Sequence, residues 1–358
     1  MKSSLAESKS ISRRSSPSSE TVKLPFLTAE LPGCGGTFKG TPEDFVVEEL
    51  PAYEPSGEKD SEHLFLWIEK RGRSTQDVAK ALARHCGMQE RDVSWAGLKD
   101  RQAVTRQYLC APARYVEPKL DTFVMEGVKV LRSARHRNKL KSGHLHGNRF
   151  TLIVRGVKEQ AVALEVLGRL VKLGIPNYFG EQRFGIGGDN AEKGKRILQS
   201  GGRHRDRFER KLFLSAYQSD LFNRVLARRL VAGTFAKALL GDVLKKNITG
   251  GEFVCADPIV DQPRVDVLEV SPTGPLFGPE MRRPEGEVDA LEESVLKEEG
   301  IDRELFKAGG NETLGARRLL RIAMQLERAS ASGEDLELVF TLSAGSYATV
   351  LLRELLKD

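Results

Sequence analysis

The sequence has few cysteines, no secretory signal and no long apolar run. No two of its four cysteines lie within a CxxC spacing, which argues against a zinc site or a redox pair. Isolated thiols without an export signal are typical of a cytoplasmic protein. No apolar stretch approaches the roughly 18 residues that a membrane helix needs. We therefore expect a protein with no metal site and no membrane partner.

The chain also lacks the common nucleotide-binding and hydrolase motifs. The spacing from Gly188 to Gly194 is one residue too long for a P-loop, and "FGIGG" does not form a GxGxxG turn after a strand. Ser346, in "SAGSYAT", lacks the GxSxG context of a nucleophilic serine. His144 and His146 have no third metal ligand within reach by sequence. These absences favour covalent or electrostatic chemistry without a cofactor.

Positive charge is in excess. The 358 residues include 56 Lys or Arg and 50 Asp or Glu, a net charge of +6 that favours a polyanionic partner such as nucleic acid. The basic window, residues 127–158, contains no acid. Its basic side chains are Lys129, Arg132, Arg135, Arg137, Lys139, Lys141, Arg149, Arg155 and Lys158. A solvated face is the ordinary interpretation of such a run, but one sign sustained through a predicted loop beside a strand favours a surface that follows RNA phosphates.

The chain divides by composition into a leader, two mixed ends and a weaker middle. Residues 1–24 are Ser-rich, basic and poor in apolar residues, which predicts a disordered leader. Strands and helices mix without a βαβ rhythm towards both ends, which indicates an α+β fold. The clearest helices are expected from Ser74 or Thr75 to Gly87, over 160–173 and over 210–231. If the terminal strands share one sheet, the Gly-, Pro- and acid-rich segment 235–315 belongs to an inserted domain.

One carboxylate stands out in "GLKDRQAVTRQYLC", residues 97–110, where Asp100 lies between Lys99 and Arg101. Such a residue is often part of a surface ion pair. The alternative is a nucleophile, because nearby cations lower the pKa of a carboxyl group and keep it ionised for attack. Carboxylates attack anomeric carbons well. Together with a surface for RNA, this suggests a glycosidic reaction on a nucleotide.

Six separated motifs carry a resemblance to a known family. They are "FKGTPEDFVVEE", "AGLKDRQAVTRQYLC", "RHRNKLKSGHLHGNRFTL", "PNYFGEQRFGIGGDN", "KLFLSAYQSDLFN" and "LSAGSYATVLLREL". From about residue 36 to the C-terminus the chain resembles the tRNA pseudouridine synthase D (TruD) family. The resemblance implies a pseudouridine synthase catalytic domain, α+β around a mainly antiparallel sheet, built from residues 25–175 and 318–358. An α/β TRUD domain would be inserted at 176–317.

The resemblance also implies an activity and a set of site residues. The family isomerises uridine to pseudouridine in tRNA, typically at position 13, without a cofactor. Its catalytic aspartate corresponds to Asp100, and Lys39 becomes the candidate counter-ion. The implied substrate-binding residues are Phe45, Asn148, Phe150 and Tyr347. Many relatives have Phe where this chain has Tyr347, which keeps an aromatic face and adds a hydroxyl. We expect a monomer that binds tRNA.

Three other functions stay open at this stage: a non-catalytic RNA-binding protein, a base-excising glycosylase and an interaction module built on the middle segment. In the catalytic interpretation, neighbouring side chains of an extended segment point to opposite faces. Lys99 and Arg101 would then face phosphate while Asp100 faces the pocket.

Overall fold

The computed structural model describes residues 24–38 and 40–357. Residues 1–23 lie outside it, so the predicted disordered leader is not tested except at Leu24, whose carbonyl oxygen accepts a hydrogen bond from Arg353. Lys39, the candidate counter-ion, also lies outside the described residues.

The described residues form fourteen strands and eight α-helices. The strands are β1 (Phe45–Pro51), β2 (His63–Arg71), β3 (Ser94–Trp95), β4 (Val104–Pro112), β5 (Val128–His136), β6 (Leu145–Val154), β7 (Ile175–Pro176), β8 (Val243–Lys246), β9 (Glu252–Val254), β10 (Val270–Leu276), β11 (Ala316–Leu319), β12 (Arg321–Ile322), β13 (Met324–Ser332) and β14 (Asp335–Ser343). The helices are α1 (Thr75–Cys86), α2 (Ala113–Val116), α3 (Gln160–Leu173), α4 (Asn190–Gln199), α5 (Arg207–Val231), α6 (Pro258–Asp266), α7 (Gly286–Glu298) and α8 (Ala348–Leu356).

Eight strands from both ends of the chain form the main sheet. Its order is β13-β14-β6-β1-β4-β2-β5, with β3 paired to β4. Among the strands described, only β1 and β4 pair in parallel, and the other neighbours in this sheet are antiparallel. Terminal strands therefore share one mainly antiparallel sheet, and the fold class is α+β, as the sequence predicted.

A smaller sheet lies in the middle of the chain. Its four strands, in the order β11-β10-β8-β9, come from residues 243–319, and helices α4 to α7 accompany them. The chain passes between the two sheets along β7 and β12, which pair in antiparallel register through Ile175–Ile322 and Pro176–Arg321. The outgoing and returning segments thus lie side by side.

Helix α1 shows how local signals set the elements next to the site. Ser74 caps its first turn by accepting a hydrogen bond from the Asp77 amide, and the Asp77 side chain accepts one from the Ser74 amide. Gly87 ends the helix in the left-handed conformation, with φ of 73°, where glycine meets no Cβ penalty. Val78 and Leu82 are buried against the sheet.

One face of the main sheet, the core face, carries the hydrophobic core and the helices. Residues opposite each other on paired strands share a face, so Val47 lies on the same side as Phe150 and Thr105. Alternation along β4 adds Gln107 and Leu109 to that side. Helices α3 and α8 pack on the β1, β6 and β14 part of this face, and α1 packs on the β2 and β4 part.

Candidate active site

The loop between β3 and β4 carries Asp100 and is held on the core face by Lys99. The Lys99 Nζ lies 2.7 Å from a Glu49 carboxylate oxygen, with side chains 4% and 1% exposed. Glu49 also accepts a hydrogen bond from the Tyr108 amide at 3.2 Å. The Lys99 amide donates to the Thr75 hydroxyl at the start of α1. The prediction that Lys99 faces phosphate is wrong, because this residue is the internal anchor of the loop.

A second buried lysine holds the backbone of the same loop. The Lys70 Nζ, on β2, donates to the carbonyl oxygens of Asp100 at 2.8 Å and Lys99 at 3.3 Å. It also donates to the Arg73 carbonyl oxygen at 2.8 Å. Burial lowers the pKa of Lys70 to about 8; the charge of Asp100 opposes this fall and that of Lys99 adds to it. Lys70 therefore fixes the main chain at Asp100 from beneath.

The Asp100 side chain itself is exposed. One of its carboxylate oxygens accepts a hydrogen bond from the Gln102 amide at 3.0 Å. Gly97, at the start of the loop, accepts through its carbonyl oxygen from Gln107 Nε2 at 3.0 Å. The loop is thus tied to side chains of β1, β2 and β4 on the core face, and it presents its carboxylate outward to solvent.

Asn148 is brought into the same region through β1. In the β1–β6 register it lies opposite Glu49, so the two side chains share the core face. Within the residues that the structure describes, the Asn148 Oδ1 is buried and has no hydrogen-bond partner. A buried acceptor without a donor is costly to the folded protein. Asn148 therefore offers an acceptor that a bound molecule can satisfy.

Phe45 and Phe150 lie beneath this region rather than at its surface. Each is 5% exposed, their ring centroids are 6.3 Å apart in an edge-on arrangement, and Phe150 also stacks on Phe340 at 5.2 Å. They form the wall between the site and the core in the present geometry. Their contact with a substrate base, implied by the resemblance, stays a prediction.

Tyr347 is the aromatic side chain that reaches solvent here. It is 47% exposed and precedes α8, in the loop that follows β14. That loop starts beside Asn148, because Leu342 lies opposite Asn148 and Ser343 lies opposite Gly147 in the β14–β6 register. Tyr347 is thus available for stacking, which Phe45 and Phe150 are not.

The basic window is part strand, and its arginines are paired with carboxylates. Its contact with RNA phosphate stays a prediction. Residues 128–136 form strand β5 rather than a loop. Carboxylates from distant parts of the chain pair with its arginines: Arg132 with Glu54, Arg135 with Glu117, Arg137 with Glu58, Arg149 with Glu327, and Arg155 with Asp44 and Asp335. Within the described ranges its lysines have no such partners, so the free positive charge here is carried by lysines alone.

Two arginines lie close together at the edge of the site, and the sequence pointed to only one of them. Arg183 and Arg318 both approach the ring of Phe179, and Arg318 lines a cleft of about 290 Å³ beside the loop that leads to Tyr347. Arg183 belongs to one of the quoted motifs. Arg318 belongs to the run "RRLLR", and the sequence does not indicate which of these arginines is buried and which faces the cleft.

No three His, Cys, Asp or Glu side chains among the described residues are arranged to hold a metal ion. In the same part of the chain, no helix is both long enough and apolar enough to cross a bilayer.

The fold has a solved counterpart from Methanosarcina mazei that carries the name putative tRNA pseudouridine synthase D (TruD). The two superpose with a TM-score of 0.76 over 93% of this chain and 96% of that one, at 22% sequence identity. The two proteins therefore share one fold.

Sequence comparison identifies the family. Residues 21–203 and 206–355 match the family model for tRNA pseudouridine synthase D (TruD). The tRNA pseudouridine synthase D of Anaeromyxobacter sp. (strain Fw109-5) is 51% identical over 340 residues, covering 93% of this chain and 96% of that protein. A protein of the same name from Thermus thermophilus is 42% identical over 336 residues, covering 94% and 92%. The chain belongs to the tRNA pseudouridine synthase D (TruD) family.

Proposed function

We propose that this chain isomerises uridine to pseudouridine in tRNA, at position 13, with Asp100 as the catalytic residue. The observation that carries the proposal is the loop between β3 and β4. Its carboxylate is exposed, while its backbone and its flanking lysine are anchored by buried groups. Such an arrangement holds a reactive oxygen in a fixed position, which is what oriented attack on a bound nucleotide requires.

The reaction starts with breakage of the N-glycosidic bond. The target uridine first leaves its stack, at a cost of a few kcal/mol that contacts with the protein offset. Asp100 then either attacks C1′ or removes the C2′ proton to give a glycal, and in both routes the electron pair of the C1′–N1 bond leaves with uracil. The uracil stays bound, rotates and bonds to C1′ through C5. In the first route this bond displaces the Asp100 carboxylate from C1′, and in the second Asp100 returns its proton to C2′. The C5 proton goes to solvent and N1 regains one, so product and substrate are isomers.

The remaining side chains have roles in holding the base. Asn148 accepts a hydrogen bond from the uracil or ribose through its unpartnered Oδ1. Tyr347 stacks on an unpaired base. Phe45 and Phe150 shape the floor of the pocket. Lys39 acts as a counter-ion that keeps Asp100 charged. No cofactor takes part, and the protein works as a monomer.

The division into domains supports this arrangement. We assign the catalytic domain to 25–175 and 318–358 and the inserted domain to 176–317. The paired strands β7 and β12 lie close to these limits, and the cleft lined by Arg318 lies where the two parts meet. Both domains then contribute to one substrate cleft, a common location for binding sites.

The test replaces Asp100 with asparagine. Release of tritium from tRNA labelled with [5-³H]uridine should be lost, while affinity for tRNA, measured by filter binding, should stay within about 2-fold because one exposed carboxylate contributes little to phosphate recognition. Asp121→Asn, a change at an exposed carboxylate, is the matched control. Full tritium release by Asp100→Asn would end the assignment. Mapping the pseudouridine in treated tRNA tests position 13.

Lys39 needs its own experiment. Without this cation the Asp100 carboxylate should hold its proton more tightly, so Lys39→Ala should shift the acidic limb of the rate–pH profile to higher pH. An unchanged limb would remove Lys39 from the role of counter-ion.

A further inference from the structure

Arg183 and Arg318 lie against the same aromatic ring. Their guanidinium carbons are 5.4 Å and 4.0 Å from the centroid of Phe179, and Arg318 is also 5.5 Å from the centroid of Phe222. Cations over aromatic rings are held by the ring quadrupole without losing their hydrogen-bonding capacity. The two guanidinium groups are thus neighbours around one ring.

Neither arginine has a carboxylate partner in the described ranges. Arg318 donates through Nε and Nη2 to the side chain and carbonyl oxygen of Asn177, and Arg183 donates through Nε to the Ser219 hydroxyl at 3.2 Å. Burial lowers the pKa of Arg318 to about 10; Tyr347 opposes this fall and the charge of Arg183 adds to it. By contrast, each arginine of the basic window has an acidic partner. Positive charge is therefore left uncompensated at this point.

Arg318 lines a cleft next to the proposed uridine site, and Arg183 lies beside it on the Phe179 ring. Arg318 has both N–H groups of Nη1 unused, and Arg183 has all four on Nη1 and Nη2, among the described contacts. The cleft beside Arg318 is lined further by Asn177 and by the loop from Ser343 to Ser346. Because Ser343 lies opposite Gly147, this cleft adjoins Asn148.

We propose that Arg183 and Arg318 bind a phosphodiester group of the RNA, in one of the two linkages that flank the flipped uridine. The proposal rests on the proposed function, since it places the phosphate beside the same uridine. Guanidinium groups match the geometry of phosphate oxygens and bind them in a bidentate manner. An anion at this point also supplies the counter-charge that the folded chain lacks. The pair fixes the register of the strand, and Asn148 and Tyr347 hold the base.

A purely structural role is the competing explanation, in which Arg318 only joins Asn177 to the Phe179 ring. Affinity loss in a single variant does not separate the two, because a disturbed cleft also binds RNA poorly. A neutral linkage in the RNA does separate them. Methylphosphonate removes the charge of one phosphate, so its effect should shrink when either of the arginines that contact this phosphate is absent.

The experiment measures the dissociation constant of tRNA with a single methylphosphonate 5′ or 3′ of the target uridine, or four nucleotides away as a control. The proteins carry Asp100→Asn, which prevents turnover, with or without Arg183→Met or Arg318→Met. We expect a loss of about 10-fold or more for one flanking linkage in the parent, a loss of only about 3-fold in either arginine variant because one arginine remains, and a salt dependence weakened by about one ion per arginine removed. Arg328→Met, which removes an exposed arginine paired with Glu337, should retain the full methylphosphonate effect.

The proposal would be overturned if the methylphosphonate caused the same loss of affinity in the parent and in the arginine variants. Arg183→Met decides the matter if Arg318→Met fails to fold, because the Arg183 side chain makes fewer polar contacts. Tritium release by the unmodified enzyme is measured in parallel. If pseudouridine forms but the methylphosphonate loss is the same with and without the arginines, only the phosphate site is refuted. If no pseudouridine forms, the proposed function is refuted.

Discussion

Replacing Lys70 with methionine should slow catalysis without removing any group that touches the substrate. The change keeps an unbranched side chain of similar length but deletes the ammonium that bonds the carbonyl oxygens of Arg73, Lys99 and Asp100. With these bonds lost, the loop is anchored mainly through the Lys99–Glu49 pair. A displacement of about 1 Å at a reacting group costs about 100-fold in rate, so we expect kcat to fall by up to this factor with KM nearly unchanged.

The pH dependence gives a sharper signature. Because the folded-state pKa of Lys70 is about 8 and its usual value is 10.5, the folded chain binds this proton more weakly than the unfolded chain does. The free energy of unfolding therefore gains a contribution from Lys70 as the pH rises from about 8 to about 10.5. Its size is roughly 3 kcal/mol, from about 1.4 kcal/mol for each pH unit between the two pKa values.

Two measurements check this reasoning. Urea unfolding at pH 7 and near pH 10 should show that Lys70→Met costs more stability at the higher pH, since only the parent gains from losing the buried charge. In the rate profile, the parent should lose activity above about pH 8, as the neutral amine holds the carbonyl oxygens less strongly, and the variant should lack this limb. Lys80→Met, at an exposed lysine of α1, is the control. A wild-type kcat in Lys70→Met, or the same alkaline limb in both proteins, would refute the role.

Three further changes probe neighbouring parts of the site. Glu49→Gln leaves the buried Lys99 ammonium without its carboxylate, and we expect a loss of about 3–5 kcal/mol in the free energy of unfolding, measured in urea. Tyr347→Phe should keep kcat/KM within about 2-fold, whereas Tyr347→Ala should lower it about 10-fold through lost stacking; equal values for the two variants would exclude a stacking role. Asn148→Ala should lower kcat/KM about 10-fold while raising or preserving stability, because the unpartnered acceptor disappears; a large loss of stability would make Asn148 a structural residue.

Elements with local signals were predictable from the sequence. The helix expected from Ser74 or Thr75 to Gly87 is confirmed, since a capping box and a left-handed glycine are encoded within the segment itself. Helix α3 has the bounds 160–173 expected from its apolar period. Strand β5 was missed because its basic side chains resemble a loop, and their compensating acids Glu54 and Glu117 lie elsewhere in the chain.

The site also has a part that the sequence predicts and a part that it does not. The motif around Asp100 marks the carboxylate. Lys70, however, holds the loop through backbone carbonyl oxygens, which every residue type has and which the sequence therefore does not reveal. Lys70 is for this reason indistinguishable by sequence from an exposed lysine. Arg317 and Arg318 are equally ambiguous: alternation along β11 buries the first against Glu292 and turns the second towards Phe179. Only the register of the smaller sheet decides which of the two stays available.

The pairing of β7 with β12 has a consequence for how this architecture can change. Opposite residues of an antiparallel pair lie only about 5 Å apart, a gap that a two-residue turn can bridge. Everything between Pro176 and Arg321 is therefore joined to the rest of the chain through two adjacent strands. Lineages can lengthen, trim or exchange that module while the strand carrying Asn148 keeps its neighbours, so recognition of different RNAs can evolve separately from the bond-breaking machinery.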